Sequence, residues 1–258
     1  MATGRTVLKH VRVFADGYDL SGDSRSIGPL IWQFADDTMA GLDWAVKGTM
    51  PGQPTWGVGT LNAIFNNTAT SGLHTIMAGS EGTRRNLMVP IGIRATPADG
   101  DPVYCGNFYQ AGHGAEFGDA LVTAMVPFSG FSMDQSMSYE KPWGNLVHTK
   151  GGETGANSTD EYTVDGGAQT TAGGWLMYQI FSVTGSSGSV TISIDDSSDD
   201  DSYSALDDAT SGAIAKASVP CAGIVQLGTT DTVEQYLRWQ MSLTTLTACT
   251  FALAFIRG

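Results

Sequence analysis

The sequence predicts an all-β protein made of two β units, and three observations support this prediction. Glycine supplies 33 of the 258 residues, nearly twice its usual share of about 7%. Short apolar runs are bounded by Gly, Pro, Asn, Asp and Ser throughout the chain, which is typical of strands and turns. In residues 189–195, Val190, Ile192 and Ile194 alternate with polar residues, as in a strand with one buried face.

Six segments between residues 6 and 131 resemble strands, and several of them alternate polar with apolar side chains. Helical patterns are scarce. The segment "DDTMAGLDWAVKG", residues 36–48, comes closest to an amphipathic helix, with Gly48 as its C-cap. We therefore expect one short helix, at this position.

The chain divides by composition near residue 150. Residues 148–173 lose nearly all large apolar side chains and are rich in Gly, Thr, Ser and acids, which predicts a linker at 151–173. It would separate a β-sandwich or barrel domain, residues 1–150, from a smaller one, residues 174–258. Five strand-like segments in the smaller domain, about ten residues apart, predict an immunoglobulin-like or jelly-roll β-sandwich.

The charge distribution argues against a protein that recognises nucleic acid. Residues 1–150 carry 10 basic and 13 acidic side chains, residues 151–258 carry 3 and 13, and the net charge is -13. A nucleic-acid-binding protein needs a basic patch to neutralise phosphates. A surface past which nucleic acid slides without binding is compatible with this charge.

The cysteine spacing and the first thirty residues indicate the compartment in which the protein is made. Cys105, Cys221 and Cys249 show no CxxC spacing, so we expect reduced, buried thiols and neither a disulfide framework nor a zinc site. No apolar run long enough for a signal peptide or a membrane span is present. These features predict a soluble protein made in the cytoplasm, with no membrane partner.

Catalytic signals are weak. The four histidines, at positions 10, 74, 113 and 148, are never within four residues of one another, so paired-imidazole metal binding has no local support. His113 lies with Glu116 and Asp119 in "AGHGAEFGD", the best catalytic candidate. No nucleophile motif accompanies it, which favours a flexible hairpin connection. We expect no enzymatic activity and no cofactor.

Residues 41–61, "GLDWAVKGTMPGQPTWGVGTL", are interpreted as an extended loop, because they contain no phosphate-binding glycine motif. Trp44, Lys47, Met50 and Trp56 make this loop a candidate partner surface, since exposed aromatic and Met side chains anchor interfaces. The alternative is that this loop folds back onto the protein and covers its hydrophobic core.

The remaining interface candidates are Arg84, Arg85, His113 and Glu116. The arginines form the only adjacent basic pair in the sequence, too small for a nucleic-acid patch. We expect them to pair with acidic side chains of a neighbouring subunit.

Seven aspartates are concentrated in residues 195–208, "DDSSDDDSYSALDD". Asp195, Asp199 and Asp201 are weak candidates for metal binding. An EF-hand loop needs Gly at its sixth position and Glu at its twelfth, and this segment has neither. A solvated connection between two strands is favoured, where charge also discourages aggregation at strand edges.

Two regions suggest a family. Residues 101–131, "DPVYCGNFYQAGHGAEFGDALVTAMVPFSGF", resemble the closing hairpin of major tail (tail tube) proteins of tailed phages. The preceding segment, residues 59–93, is similar to that family's pattern of a strand, a short helical or looped excursion and a return strand. The region from residue 173 to 258 resembles the C-terminal β-sandwiches appended to many phage virion proteins.

The resemblance implies a structural virion protein that assembles in the host cytoplasm. Tail tube subunits form rings, usually of six, which stack into a tube around the tape-measure protein. The tube meets tail-terminator and baseplate proteins and later conducts the genome. The resemblance also implies that residues 174–258 decorate the outside of the tube.

Other functions remain open on the residues alone. One alternative is a capsid decoration protein. Another is a carbohydrate-binding or adhesin module that uses the aromatic residues Trp175, Tyr178, Tyr203, Tyr236 and Trp239 as a platform. A hydrolase based on Asp199 and Asp207 is disfavoured, because acids crowded in one loop lack the two-sided placement that acid/base catalysis requires.

Overall fold

A computed structural model describes residues 8–39, 48–93, 95–118, 122–131, 141–155 and 163–258 of the chain. Antiparallel strands dominate, which confirms the all-β prediction. In chain order the strands are β1 (Phe14–Ala15), β2 (Tyr18–Asp19), β3 (Ser24–Met39), β4 (Gly48–Ile64), β5 (Arg84–Pro90), β6 (Pro102–Gln110), β7 (Gly114–Phe117), β8 (Val122–Phe131), β9 (Trp143–Glu153), β10 (Thr163–Asp165), β11 (Gly174–Ser197), β12 (Ser204–Thr210), β13 (Ile214–Ala215), β14 (Cys221–Gln226) and β15 (Tyr236–Arg257).

Helical structure is minor. The α-helix of the described ranges, α1, spans Leu73–Met77, and 3-10 turns occur at Leu8–His10 and Lys216–Ser218. No helix in these ranges is long and apolar enough to cross a membrane. The position of α1 falls within the excursion that the tail tube resemblance implies for residues 59–93.

The helix predicted at residues 36–48 is wrong wherever the structure describes that segment. Asp37 pairs with Met50 and Met39 pairs with Gly48, so both ends of the segment belong to the β3–β4 ladder. Residues 40–47 lie outside the described residues. The apolar positions fit a helical period only loosely, and cross-strand pairing overrides such a weak local preference.

One continuous path of strands connects most of the molecule, in the order β12-β11-β15-β9-β6-β5-β1-β2. A branch formed by β3, β4, β7 and β8 joins it where β8 pairs with β6. The longest ladder joins β11 to β15, from Gly174 opposite Arg257 to Ser197 opposite Tyr236. Each of these strands merges two segments that the sequence predicts as separate, because the ladder continues through irregularities between Ile180 and Ser189.

The sheet crosses the predicted domain boundary. β9 runs from Trp143 to Glu153, past residue 150, and pairs with β15 on one side and β6 on the other. The predicted linker also contains β10, which pairs with β15. A hydrophobic cluster joins Phe14 and Met88 to Trp175 and Met177. The division into two domains stays a prediction, and the two regions share both hydrogen bonds and buried contacts.

Two further apolar clusters make up the rest of the core. One is built on β11 and β15, with Trp239, Phe251 and Phe255 among its largest members. The other surrounds Tyr104 and Phe108 of β6. Cys105 and Cys249 are buried, as the sequence predicts, whereas Cys221 is only half-buried. Burial raises the pKa of Cys249 to about 12, so this thiol stays protonated and unreactive.

A two-residue turn at Asp16 and Gly17 connects β1 to β2 and lies against the C-terminal half of the chain. Both residues have positive φ, 49° and 82°, as a type I′ hairpin requires. The Asp16 carboxylate accepts hydrogen bonds from Arg85 Nη1 at 2.8 Å and from the Asn86 amide at 2.9 Å. The Gly17 amide donates to Gln179 Oε1 at 2.7 Å, and Gln179 Nε2 donates to the Asn86 carbonyl.

We expect Gly17→Ala to destabilise the protein by about 2–4 kcal/mol. A Cβ at this position would lie 2.4 Å from the Cys221 amide nitrogen and 2.5 Å from the Ile180 carbonyl oxygen. These are backbone atoms that cannot move aside cheaply, and the positive φ adds strain. Urea denaturation of the variant and the wild type measures the loss.

Gly22→Ala is the matched control, because a Cβ at Gly22 meets nothing within 4 Å. Its effect should stay within about 0.5–1 kcal/mol. Equal losses in the two variants would contradict the close packing of the Gly17 turn against β11 and β14.

Candidate assembly interface

The β3–β4 hairpin extends beyond the sheet that supports it. Within the described residues β3 pairs only with β4, and β4 pairs with β8 only over residues 60–64. Residues 30–39 of β3 and 48–58 of β4, hereafter the arm, therefore form a two-stranded ribbon. At 3.2–3.4 Å per residue the ribbon is about 30 Å long.

Tyr104 of β6 fixes the root of the arm. Its side chain is fully buried, and its hydroxyl lies 2.7 Å from the Ile31 carbonyl and 2.8 Å from the Gly57 carbonyl. Ile31 and Gly57 are partners across the hairpin, so one donor contacts both strands where they leave the sheet. Burial raises the pKa of Tyr104 well above its ordinary value, which keeps the hydroxyl protonated as a donor.

Large apolar side chains on the arm are exposed. The exposed fractions are 40% for Trp32, 52% for Phe34 and 52% for Met50. The rings of Trp32 and Phe34 lie 6.0 Å apart between centroids, on one face of β3. Trp32 is opposite Trp56, and Phe34 is opposite Pro54, so this face of the arm is apolar on both strands.

A ribbon of this kind is poorly stabilised by one chain alone. Isolated two-stranded hairpins are marginally stable in water, and among the described strands none pairs with the outer edge of either arm strand beyond residues 60–64 of β4. Exposed aromatic and Met side chains are the usual anchors of protein interfaces. The arm therefore has the composition and the open edges of an assembly element.

The structure places the predicted loop residues in two groups. Met50 and Trp56 lie on the arm, whereas Trp44 and Lys47 fall outside the described residues. The interpretation of residues 41–61 as an extended loop is wrong from residue 48 onward, because that part is strand β4. Met50 is exposed, as expected for a partner surface. Trp56 is half-buried against the shared core cluster, as expected for a residue that covers the core.

The arginine pair is divided between an internal and a surface position. Arg85 finds its acidic partner, Asp16, in the same chain at 2.8 Å. It also donates to Gln110 Oε1 and to the Ile76 carbonyl. The Arg85 guanidinium is therefore paired within its own chain, and not with a neighbouring subunit as the sequence analysis expected. Arg84 is exposed, 5.9 Å from the centroid of the Tyr109 ring.

His113 lies in the connection between β6 and β7, and Glu116 is exposed on β7. The Nε2 atom of His113 is 3.4 Å from Nδ1 of His74 on α1. Burial and the neighbouring His74 lower the pKa of His113, while Glu81 acts in the opposite direction. Sequence reasoning missed this pair, because the two histidines are 39 residues apart and only the fold brings them together. Asp119 lies outside the described residues.

Residues 198–203 of the aspartate-rich segment form the turn between β11 and β12, as predicted. The prediction of a solvated connection is wrong for the ends of the segment, because Asp195 and Asp196 belong to β11, Asp207 and Asp208 belong to β12, and Asp196 is buried. Asp199 Oδ1 accepts hydrogen bonds from the Ser197 hydroxyl and from the amides of Asp201 and Ser202. These bonds, led by the one from Ser202, lower the pKa of Asp199.

The three weak metal candidates therefore do not form one cation site. Asp195 accepts instead from Arg238 and Gln240, each at 2.9 Å. In the described part of the chain, no group of three or more His, Cys, Asp or Glu residues is arranged to hold a metal ion.

The proposed sugar platform does not form a common surface. Trp175 and Trp239 are 4% and 2% exposed, and they belong to two different core clusters. Tyr203 is covered by the Arg238 guanidinium at 4.3 Å from its ring centroid. Aromatic stacking on a flat sugar requires exposed rings, which the two tryptophans do not supply.

A buried histidine makes stability sensitive to pH. His148 is 4% exposed and packs in a tilted orientation against Trp239 and Phe251, at centroid distances of 4.8 and 4.4 Å. Burial lowers its pKa from 6.5 to about 4. Its Nε2 is 3.6 Å from the Glu153 carboxylate, too far for a hydrogen bond.

We expect the free energy of unfolding to fall by about 2 kcal/mol between pH 7.5 and pH 5 because of His148. Over this range the unfolded chain binds a proton that the folded chain still excludes, so protonation favours unfolding. His148→Leu removes the titrating group and should remove this part of the pH dependence. Urea denaturation of both proteins at several pH values measures it.

Asp99 acts in the opposite direction, since burial raises its pKa to about 6, so that the folded chain gains stability as the pH falls. Its effect is present in both proteins and cancels in their difference. A difference curve that is flat between pH 7.5 and pH 5 would contradict the role assigned to His148.

Comparisons with known proteins identify no family. No protein-family model matches the sequence, and no curated protein matches it. Among solved structures, the chain is similar to the SPP1 Dit protein, described as a paradigm of the hub adsorption apparatus in phages that infect Gram-positive bacteria. The match covers 96% of this chain and 99% of that chain, with 11% sequence identity and a TM-score of 0.35. A TM-score this low establishes neither a shared fold nor a shared function.

Proposed function

We propose that this chain is a structural protein of a phage tail, which assembles with copies of itself into stacked rings that form a tail tube. The arm is the observation that carries the proposal. It supplies unpaired strand edges and exposed aromatic side chains on one element, and these features are a liability unless another subunit covers them. The proposal includes no enzymatic activity.

The outer edge of β3 is the better edge for pairing with a neighbour. Pro51 and Pro54 lie in β4, and proline cannot donate to a strand ladder. Residues 30–39 of β3 contain no proline, so every position there has a backbone amide donor. If β3 pairs with a different edge of the next copy, the contact repeats head to tail and closes into a ring.

Charge supports the passage of DNA through such a ring. With a net charge of -13, the subunit offers little to capture phosphates, so nucleic acid would pass without sticking. Six-fold rings are expected from the tail tube resemblance. In this proposal the partners are further copies of the chain, a tape-measure protein inside the tube, and tail-terminator and baseplate proteins at its ends, all within the virion tail.

The double variant Trp32→Ser, Phe34→Ser tests the arm. Both side chains are exposed, so we expect the subunit to fold while ring formation weakens by at least tenfold in concentration, equivalent to about 1.4 kcal/mol or more. Sedimentation velocity over a concentration series and negative-stain microscopy measure assembly, and circular dichroism checks the fold.

Two controls separate the arm from other surfaces. Ile93→Ser removes an apolar side chain that is 45% exposed and lies outside the arm. Replacing Asp199, Asp200 and Asp201 by Asn changes the acidic turn. Both should assemble like the wild type, with melting temperatures that do not depend on Ca²⁺. A wild-type protein that stays monomeric at high concentration, or an arm variant that assembles normally, would overturn the proposal.

A further inference from the structure

We propose that His74 and His113 together bind a divalent transition-metal ion of the zinc, nickel and copper class. The ion would join α1 to the connection between β6 and β7. The inference rests on the geometry of the two imidazoles and is independent of the assembly proposed above.

The distance between the ring nitrogens fits a shared ion. Zinc–nitrogen bonds are about 2.0–2.1 Å long, and two such ligands at a tetrahedral angle are separated by about 3.3–3.4 Å. The observed separation of His74 Nδ1 and His113 Nε2 is 3.4 Å. A direct N–H···N hydrogen bond would ordinarily be shorter, near 3 Å.

The orientation of the rings is also compatible with chelation. The two centroids are 4.8 Å apart and the ring planes are inclined by 55°. If each ring centroid lies about 3 Å from a shared tetrahedral ion, the two centroids are separated by about 5 Å. Rings stacked face to face would instead point their nitrogens past each other.

The surroundings hold one ligand in place and leave room for water. The Phe65 ring packs on His74 at a centroid distance of 4.4 Å, which restricts its rotation. His113 lines an open cleft of about 440 Å³ with Thr60 and Met125 among its other walls. With two protein ligands, water molecules from this cleft would complete the coordination shell, as in metal sites that keep open positions.

Imidazole nitrogen selects the metal class. Neutral imidazole suits zinc, copper and nickel, whereas calcium and magnesium prefer oxygen ligands. The nearby Glu81 carboxylate acts electrostatically on His113 and would favour a bound cation. A bound ion would hold α1 and the β6–β7 connection beside the β4–β8 pairing at Thr60 and Pro127, close to the root of the arm.

Titration of tag-free, EDTA-treated protein with ZnCl₂ and NiCl₂ at pH 7.5 tests the site by calorimetry. We expect saturable binding of one ion per chain and a melting temperature that rises with metal concentration, as linkage requires. His74→Gln and His113→Gln should each abolish both effects, because each removes one of the two ligands. His10→Gln, which changes a histidine outside the pair, should retain them.

Urea denaturation in EDTA shows whether each variant folds, so that loss of binding is not mistaken for loss of structure. Electron paramagnetic resonance of the Cu²⁺-loaded wild type gives a second reading, in which coupling to two imidazole nitrogens supports the site. Coupling to one nitrogen or none, unchanged binding in either variant, or binding that does not saturate would overturn the proposal.

Discussion

The buried polar contacts around the Asp16–Gly17 turn connect the two halves of the molecule, and the remaining architecture depends on them. Gln179 of β11 is fully buried, and its amide is paired with the Gly17 amide and the Asn86 carbonyl. Arg85 extends the same contacts toward α1. A buried amide or guanidinium that loses one partner costs free energy, so these groups hold the N-terminal strands in one position against β11.

This fixed junction gives the arm a rigid base. Tyr104 clamps the root of the arm from β6, and β6 is hydrogen-bonded to β5, β8 and β9. The root of the arm is therefore attached to the sheet by a fully buried side chain as well as by the β4–β8 ladder. A flexible attachment would lose more entropy when a partner orders it.

Sequence patterns predicted the elements whose structure is determined locally. Val190, Ile192 and Ile194 alternate with polar residues and are all fully buried in β11. Residues 198–203 form a turn in which the Asp199 side chain accepts hydrogen bonds from the amides two and three positions further along. The merging of two predicted strands into β15 could not be read locally, since it depends on continuous pairing with β11, a segment far away in the sequence.

The candidate interface was predicted only in part, for a related reason. Met50 and Trp56 stand out in a segment rich in glycine and proline, but Trp32 and Phe34 lie in "IGPLIWQFA", which has the composition of a buried strand. Their exposure follows from where the supporting sheet ends, and β8 determines that end by pairing with residues 60–64 alone. The His74–His113 contact likewise depends on the fold, because the two residues are 39 positions apart in the sequence.

The β11–β15 ladder has a consequence for the order of folding. Gly174 and Arg257 are partners across 83 positions, whereas the two strands of the arm are close neighbours in sequence. Local hairpins close quickly, and contacts between distant residues close slowly. Since β15 lies between β9 and β11 and follows both of them along the chain, those two strands stay without their shared partner until β15 has been synthesised. The two strands of the arm can therefore pair transiently before the core that stabilises them is complete, and the unpaired edges of β9 and β11 are open to association during this interval.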